Sequence, residues 1–173
     1  SRVISRIAGI YIESIRATPL LVQLYFFYFG LPSVGIMLPE WVTGVIALTL
    51  NSGAYYAEII RAGIQAIAYG QIEAGVASGL NYFQRMRYII LPQALGMTIR
   101  PMLGQAIVLV KDSSLLSLIS IMELTRAGQM LTSDRFMPAE GFLTTAAFYL
   151  LIYYLLKTFS NWSEKRLIFR EAH

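Results

Sequence analysis

The 173-residue chain contains no cysteine and a single histidine, His173, and only 14% of its residues are charged. The absence of cysteine excludes a disulfide framework, a thiolate nucleophile and a thiolate metal site. One histidine at the terminal position also excludes histidine-based catalysis and a cluster of histidine metal ligands. We therefore expect no cofactor and no metal ion, and we do not expect an enzyme.

Apolar residues are abundant instead. Of the whole chain 56% is hydrophobic, and the mean hydropathy is +0.57. Soluble globular domains average about 45–50% apolar residues. Disorder is excluded, because apolar side chains abound while the net charge is only +4. The composition and length predict an integral membrane protein with one domain, residues 1–173.

Three uncharged runs, residues 17–39, 41–57 and 141–156, are candidates for membrane-spanning helices. A bilayer core of about 30 Å takes about 20 helical residues, so the first run is long enough and the others are slightly short. The first helix is expected to begin as early as Ile7, to bend at Pro19 and to end near Pro32.

A further apolar segment, residues 89–121, is interrupted by prolines and charges. We predict a helix over residues 94–110, a polar break at residues 111–114 and a shorter apolar helix through Ile121. Broken, charge-bearing segments at membrane depth are tolerated only where they face protein or a water-filled cavity. This segment is therefore the expected place for a transport path.

The distribution of Lys and Arg predicts the orientation of these four spans. If both termini are cytoplasmic, 11 of the 14 basic residues lie on the cytoplasmic side. The other three are Lys111, Arg126 and Arg135. Residues 61–92 then form the longest polar insertion on the cytoplasmic face.

The sequence of this insertion predicts a helix–turn–helix on the membrane surface. Glu73 and Ala74 favour a first helix, and Gly79 can supply the positive φ angle that ends it. Asn81 is a suitable N-cap for a second helix, which Pro92 is expected to interrupt.

The same insertion resembles a known motif. The EAA loop of ATP-binding cassette importer permeases has the pattern Glu-Ala-Ala, three residues, Gly, nine residues, Ile-x-Leu-Pro. The chain departs from it at Gly75, where the family often has Ala, and otherwise matches at Glu73, Ala74, Gly79, Ile89, Leu91 and Pro92. Three further stretches resemble the branch of that family that takes up polar amino acids: residues 13–23, 48–63, and 109–115 with 123–125.

The resemblance implies a permease subunit of a bacterial inner-membrane importer. Such permeases form dimers, with a second copy or a homologous permease, on two ATPase subunits, and an extracytoplasmic binding protein delivers the amino acid. It implies that Glu73, Ala74, Gly75, Gly79, Leu91 and Pro92 contact the ATPase, which hydrolyses the ATP. No nucleic acid is expected. Members usually have an additional N-terminal helix and five spans, so a truncated or trimmed chain is expected here.

The candidate substrate path has two interpretations. Lys111, Asp112, Ser113 and Ser114 could complement the charges of a zwitterionic amino acid, or Lys111 and Asp112 could be a simple ion pair. Asn51 could bridge two helices or line the same cavity. Glu123, which lies in the stretch 123–125 that resembles the amino acid branch, is a further candidate for this path.

Two pairs at i,i+3 spacing, Glu13 with Arg16 and Glu58 with Arg61, are expected to be interfacial salt bridges rather than ligands. Two other functions stay open: a permease for another solute, such as methionine or an osmolyte, and a non-transporting membrane assembly protein. The sequence does not specify which amino acid is carried.

Overall fold

A computed structural model describes the backbone of residues 2–171 and the side chains of residues 2–163. His173, predicted to be a solvated tail residue, lies outside this range. The regular structure of the described residues is entirely helical, which confirms the predicted fold class. The α-helices are α1 (Arg2–Ala17), α2 (Leu20–Tyr25), α3 (Leu31–Ser33), α4 (Glu40–Gln65), α5 (Tyr69–Ala77), α6 (Tyr82–Arg85), α7 (Leu91–Asp112), α8 (Leu124–Arg135) and α9 (Pro138–Glu171). Phe26–Gly30 and Met86–Ile90 are π-helical turns, and Ser113–Ile119 is a 3-10 helix.

Two stretches among the described residues are long and apolar enough to cross a membrane: Tyr82–Ile119 and Pro138–Ser163. Leu20–Ser33 is a shorter apolar stretch. Helix α4, with 26 residues, is long enough to cross the hydrocarbon layer but carries more polar residues. These four stretches overlap the four predicted spans, and two of them have the length and hydropathy of a membrane-spanning helix.

Helix α1 lies beside α4 and runs in the same direction. The Tyr11 hydroxyl donates a hydrogen bond to the backbone oxygen of Leu50 at 2.6 Å, and Arg16 forms an ion pair with Glu58 at 3.5 Å. As α1 advances along the chain, its contacts therefore advance along α4.

The chain then reverses at Pro19, whose φ of −62° and ψ of 139° are extended. After this break, Gln23 contacts Asn51, and Leu24 packs in a buried cluster with Ala47, so the contacts move back along α4. The prediction of one bent helix across Pro19 was wrong. Proline lacks an N–H and disfavours helical backbone before it, which here divides the segment into two helices.

Two of the three Leu-Pro pairs, Leu31-Pro32 and Leu91-Pro92, each follow a π-helical turn. The backbone N–H of Leu31 bonds to the oxygen of Phe26, and that of Leu91 bonds to the oxygen of Met86. This wider turn lets a helix accept a proline, which would otherwise clash with the carbonyl four residues earlier. The first helix ends at Ser33, close to the predicted position, but the prediction that Pro92 interrupts the second helix was wrong.

The predicted polar break at residues 111–114 is also wrong, because the helix continues from Tyr82 to Ile119. At Ser113 it only tightens from α to 3-10 geometry, and it ends at Ser120, which has a φ of 65°. The Ser113 hydroxyl donates to the backbone oxygen of Val110 at 2.7 Å. A serine whose hydroxyl is hydrogen-bonded to its own helix can lie in an apolar environment without interrupting that helix.

Two clusters of buried hydrophobic residues lie where helices pack against one another. Leu24, Ala47 and Ile119 join α2, α4 and the 3-10 helix. Ile67 and Ile90 lie in the second cluster, next to the polar insertion. The first cluster fixes the end of α4 opposite the insertion, and the second fixes the insertion against the start of α7.

Candidate functional site

A cavity of about 600 Å³ lies between the break after α1, helix α4 and helix α7. Its polar lining side chains come from three separate parts of the chain: Arg16, Thr18, Asn51, Tyr55, Gln105 and Asp112. The structure thus brings together two of the residues predicted for the substrate path, Asn51 and Asp112.

Gln23 holds one wall of this cavity in place. Its side-chain amide nitrogen lies 2.7 Å from the Ile15 oxygen and 3.0 Å from the Thr18 oxygen, two carbonyl groups that precede the break. The Asn51 amide donates to the Gln23 side-chain oxygen at 3.1 Å. Gln23 therefore ties the break between α1 and α2 to α4.

Gln23 is a residue of this site that was not predicted individually from the sequence. The available signal was an amide in an apolar run: Gln23 is only 7% exposed, and a buried polar side chain needs partners. For Asn51 both interpretations hold together, because it bridges two helices and also lines the cavity.

The predicted cluster at residues 111–114 is spread around its helix. Asp112 is half-buried and lines the cavity, whereas Lys111, Ser113 and Ser114 are absent from its lining. Ser114 accepts a hydrogen bond at its backbone oxygen from the Ser117 hydroxyl at 2.7 Å. Among the described side chains, none forms a hydrogen bond or a salt bridge with the Asp112 carboxylate, so Lys111 acts on it only as a nearby charge beyond salt-bridge distance.

Glu123 has a capping position outside this cavity. Its carboxylate accepts from the backbone N–H groups of Thr125 at 2.8 Å and Arg126 at 2.6 Å, at the start of α8. The Tyr149 hydroxyl donates to the same carboxylate at 3.0 Å. Glu123 therefore stabilises the N-terminus of α8 and joins it to α9.

Of the two predicted salt bridges, the structure contains Glu58 with Arg61 but not Glu13 with Arg16. The Arg61 guanidinium binds Glu58 through two nitrogens, with Nε to Oε2 at 2.8 Å, which confirms this salt bridge. Arg16 pairs with Glu58 rather than with Glu13, because the chain reversal places α1 alongside α4. Arg16 also lies 5.4 Å from the ring centre of Tyr55.

The insertion forms the predicted helix–turn–helix. Helix α5 ends in a Schellman motif, in which Leu80 N–H bonds to the Gly75 oxygen at 3.0 Å and Gly79 N–H bonds to the Val76 oxygen at 2.9 Å. Gly79 has a φ of +76°, a conformation that other residues adopt with strain. Asn81 then caps α6 through a reciprocal capping box with Gln84.

Gly75, the departure from the family motif, allows α5 to pack closely on the next helix. A Cβ atom there would lie 2.7 Å from Ile89 Cδ1 and 3.1 Å from Arg85 Cδ. Arg85 also donates to the Leu80 oxygen at 2.6 Å and so fixes the turn. Gly75 is buried, whereas the other predicted coupling residues are exposed: Glu73, Ala74, Gly79, Leu91 and Pro92.

A family model described as a binding-protein-dependent transport system inner membrane component matches residues 1–169. The chain belongs to this family. It is thus an inner-membrane transport subunit, a permease, and the predicted resemblance to importer permeases is confirmed.

Named relatives agree with this assignment. The permease is 41% identical over 157 residues to the probable glutamine ABC transporter permease protein GlnM of Bacillus subtilis (strain 168), covering 91% of this chain and 73% of that protein. It is 38% identical over 165 residues to the glutamine transport system permease protein GlnP of Escherichia coli (strain K12), covering 94% and 75%. A solved amino acid ABC transporter matches with a TM-score of 0.91 and 39% identity, over 95% of this chain and 77% of that one.

Proposed function

We propose that this permease imports a polar amino acid in a complex powered by a separate ATPase. The observation that carries the proposal is the cavity in which Asn51 and Asp112 meet, in a chain whose relatives are named for glutamine and amino acid transport. The free Asp112 carboxylate can accept the ammonium group of an amino acid, and the Asn51 amide can hydrogen-bond to its polar groups. Glutamine is the first candidate substrate.

The rest of the path is proposed to follow the polar side chains along the same helix. Ser113 and Ser114 follow Asp112 in the 3-10 helix, Lys111 precedes it in the last turn of α7, and Glu123 follows the end of the 3-10 helix. Alternating access would open this path to one side of the membrane at a time.

We propose that the insertion couples ATP hydrolysis to transport. The exposed Glu73 and Ala74 on α5 would dock in a cleft of the ATPase, and Phe83, which is 80% exposed, would add an apolar anchor. The buried Gly75, the turn at Gly79 and the helix start at Leu91 and Pro92 would keep the docked element stiff. Rigid-body motion of the ATPase could then be transmitted to the spans.

The proposed assembly has further partners. A second copy or a homologous permease would complete the path, and an extracytoplasmic binding protein would deliver the amino acid. Residues 61–92 and the C-terminus would lie on the cytoplasmic side of a bacterial inner membrane, which the excess of Lys and Arg favours. The predicted cytoplasmic N-terminus does not fit helix α1, which runs toward that side in the same direction as α4.

Uptake into proteoliposomes that contain the whole complex tests the substrate path. Asp112→Asn should lower uptake about tenfold or more, because it removes the charge that pairs with the ammonium. The complex should still assemble. Asp134→Asn is the matched control, since Asp134 is exposed on α8, and it should keep normal uptake. Unchanged uptake of every tested amino acid by Asp112→Asn would remove the site assignment.

Co-purification in detergent tests the coupling role. Glu73→Lys should release the ATPase subunits, because it reverses the charge of an exposed docking side chain. Normal co-purification of the ATPase with this variant would count against docking through α5.

A further inference from the structure

We propose that Arg16 binds the α-carboxylate of the amino acid while Asp112 binds its ammonium group. This inference rests on the proposed function, and it changes the expected role of Arg16 from an interfacial salt bridge to a specificity-determining residue. It concerns the cavity between α1, α4 and α7.

Arg16 is the cationic side chain in the lining of this cavity, and Asp112 is the anionic one. They come from different helices, since Arg16 lies in the last turn of α1 and Asp112 ends α7. A zwitterionic amino acid carries the complementary pair of charges on an ammonium and a carboxylate that are bonded to the same carbon. The lining therefore fits an amino acid better than it fits a simple amine or a simple carboxylate.

The ion pairs around Glu58 leave Arg16 available. Arg61 binds both oxygens of the Glu58 carboxylate, with Nε to Oε2 at 2.8 Å, whereas Arg16 approaches the same carboxylate only to 3.5 Å. Glu13 lines a second cavity, of about 700 Å³, together with Glu58 and Arg61, but it is absent from the lining of the first cavity. Glu58 is thus already neutralised by Arg61, and Arg16 can bind an incoming anion.

Tyr55 positions the Arg16 guanidinium at the cavity wall. The guanidinium carbon lies 5.4 Å from the centre of the Tyr55 ring, and Tyr55 itself lines the cavity. A ring that stabilises the face of a guanidinium leaves the edge with its N–H groups free. That edge can donate two parallel hydrogen bonds to a carboxylate. The Arg16 side chain is 40% exposed, so it has room to turn toward the ligand.

Glu58 then acts as the internal competitor for Arg16. When the α-carboxylate arrives, Arg16 exchanges its weak contact with Glu58 for a bidentate one, and when the amino acid leaves, Arg16 returns. Removing the Glu58 charge should therefore leave substrate binding as strong as before or strengthen it. A purely structural ion pair predicts the opposite, because loss of either partner would then do similar damage.

Equilibrium binding to the purified permease–ATPase complex, without the binding protein, tests this assignment. The probes are L-glutamine, 4-aminobutanamide, which lacks the α-carboxylate, and glutaramic acid, which lacks the α-amine. In the unmodified complex both analogues should bind at least about tenfold more weakly than glutamine, the ratio expected for one charge-assisted contact.

The variants should separate the contribution of Arg16 to glutamine binding from that of Asp112. Arg16→Gln should weaken glutamine about tenfold or more and bring its affinity close to that of 4-aminobutanamide, while Arg16→Lys keeps part of the preference. Asp112→Asn should instead bring glutamine close to glutaramic acid. Glu58→Gln should bind glutamine as tightly as the unmodified complex or more tightly. Arg6→Gln, the same change elsewhere on α1, should leave all three affinities unchanged.

Two results would overturn the inference alone. One is an equal loss of glutamine and 4-aminobutanamide affinity in Arg16→Gln, and the other is a loss of glutamine affinity in Glu58→Gln as large as that in Arg16→Gln. If the unmodified complex and its reconstituted form neither bind nor transport any of the 20 standard amino acids, the proposed function fails as well.

Discussion

At the scale of single residues, polar side chains in apolar helices decide how the helices meet. The Gln23 side-chain nitrogen donates hydrogen bonds to two backbone carbonyls before the break at Pro19, and its side-chain oxygen accepts one from Asn51 on α4. Both side chains are buried, so each depends on the other for a partner that water would otherwise supply.

Asn51→Ala should lower the stability of the permease. It leaves the Gln23 side-chain oxygen buried without a donor, which costs about 1–3 kcal/mol. The expected result is a lower apparent melting temperature of the detergent-purified complex. Ser14→Ala, at an exposed position on α1, should have little effect. An unchanged melting temperature for Asn51→Ala would show that water replaces the lost donor.

Asn51 and Asp112 could be predicted from the sequence because a polar residue within an apolar stretch is conspicuous. The convergence of Lys111, Ser113 and Ser114 with Asp112 could not hold once the helix continued through them. Consecutive helical residues point in directions about 100° apart, so neighbours in sequence face different surroundings. Arg16 could not be assigned from sequence, because its partners depend on the chain reversal at Pro19.

At the scale of elements, the cytoplasmic insertion was the most predictable part of the fold. Its turn uses local signals, namely a glycine with positive φ at Gly79 and a capping box from Asn81 to Gln84. Such signals act within a few residues and need no tertiary contact. The continuous helix through Pro92 was unpredictable for the opposite reason, since a π-helical turn depends on how the whole helix packs.

Gly75→Ala should loosen the packing of α5 on the next helix. Alanine favours a helix by about 0.5–1 kcal/mol over glycine, but its Cβ would lie 2.7 Å from Ile89 Cδ1. We expect faster hydrogen exchange of the α5 amides in this variant. Adding Ile89→Val removes Cδ1 and should restore the protection. Slow exchange in Gly75→Ala alone would show that Ile89 moves aside at little cost.

Glu123→Ala should destabilise the hairpin of α8 and α9. It removes a cap that accepts two backbone N–H groups and the Tyr149 hydroxyl, at a cost of about 0.5–2 kcal/mol. The expected result is faster hydrogen exchange in the first turn of α8, with partial recovery in Glu123→Asp. Glutamine affinity should change less than in Asp112→Asn. A loss as large as that of Asp112→Asn would instead assign Glu123 to substrate binding.

At the scale of the whole molecule, the chain buries little of its apolar surface within itself. Ile7, Phe29, Leu143 and Phe159 are each more than half exposed, and they lie on α1, on the first π-helical turn and on α9. Lipid and partner chains are the surroundings that such surfaces require. Composition alone predicted this environment, whereas the number of spans needed the pattern of charges along the chain.

Cysteine labelling can test the proposed orientation without background, because the chain has no cysteine of its own. Gln71→Cys on α5 and Asp134→Cys on α8 place single thiols at exposed positions. In right-side-out vesicles, a membrane-impermeant maleimide should label position 134 directly and position 71 only after permeabilisation. Direct labelling at position 71 would place the insertion outside and contradict its contact with an ATPase.

The unbroken helical stretch from Tyr82 to Ile119 contains 38 residues. At about 1.5 Å per residue it is roughly 57 Å long, nearly twice the hydrocarbon thickness of about 30 Å. The insertion adjoins one end, Asp112 lies near the other, and Pro101 lies at the middle. A proline inside a helix removes one hydrogen bond and is a common site of bending. A bend of about 10° at Pro101 would therefore displace the tip beside the insertion by about 5 Å relative to the half of the stretch that carries Asp112.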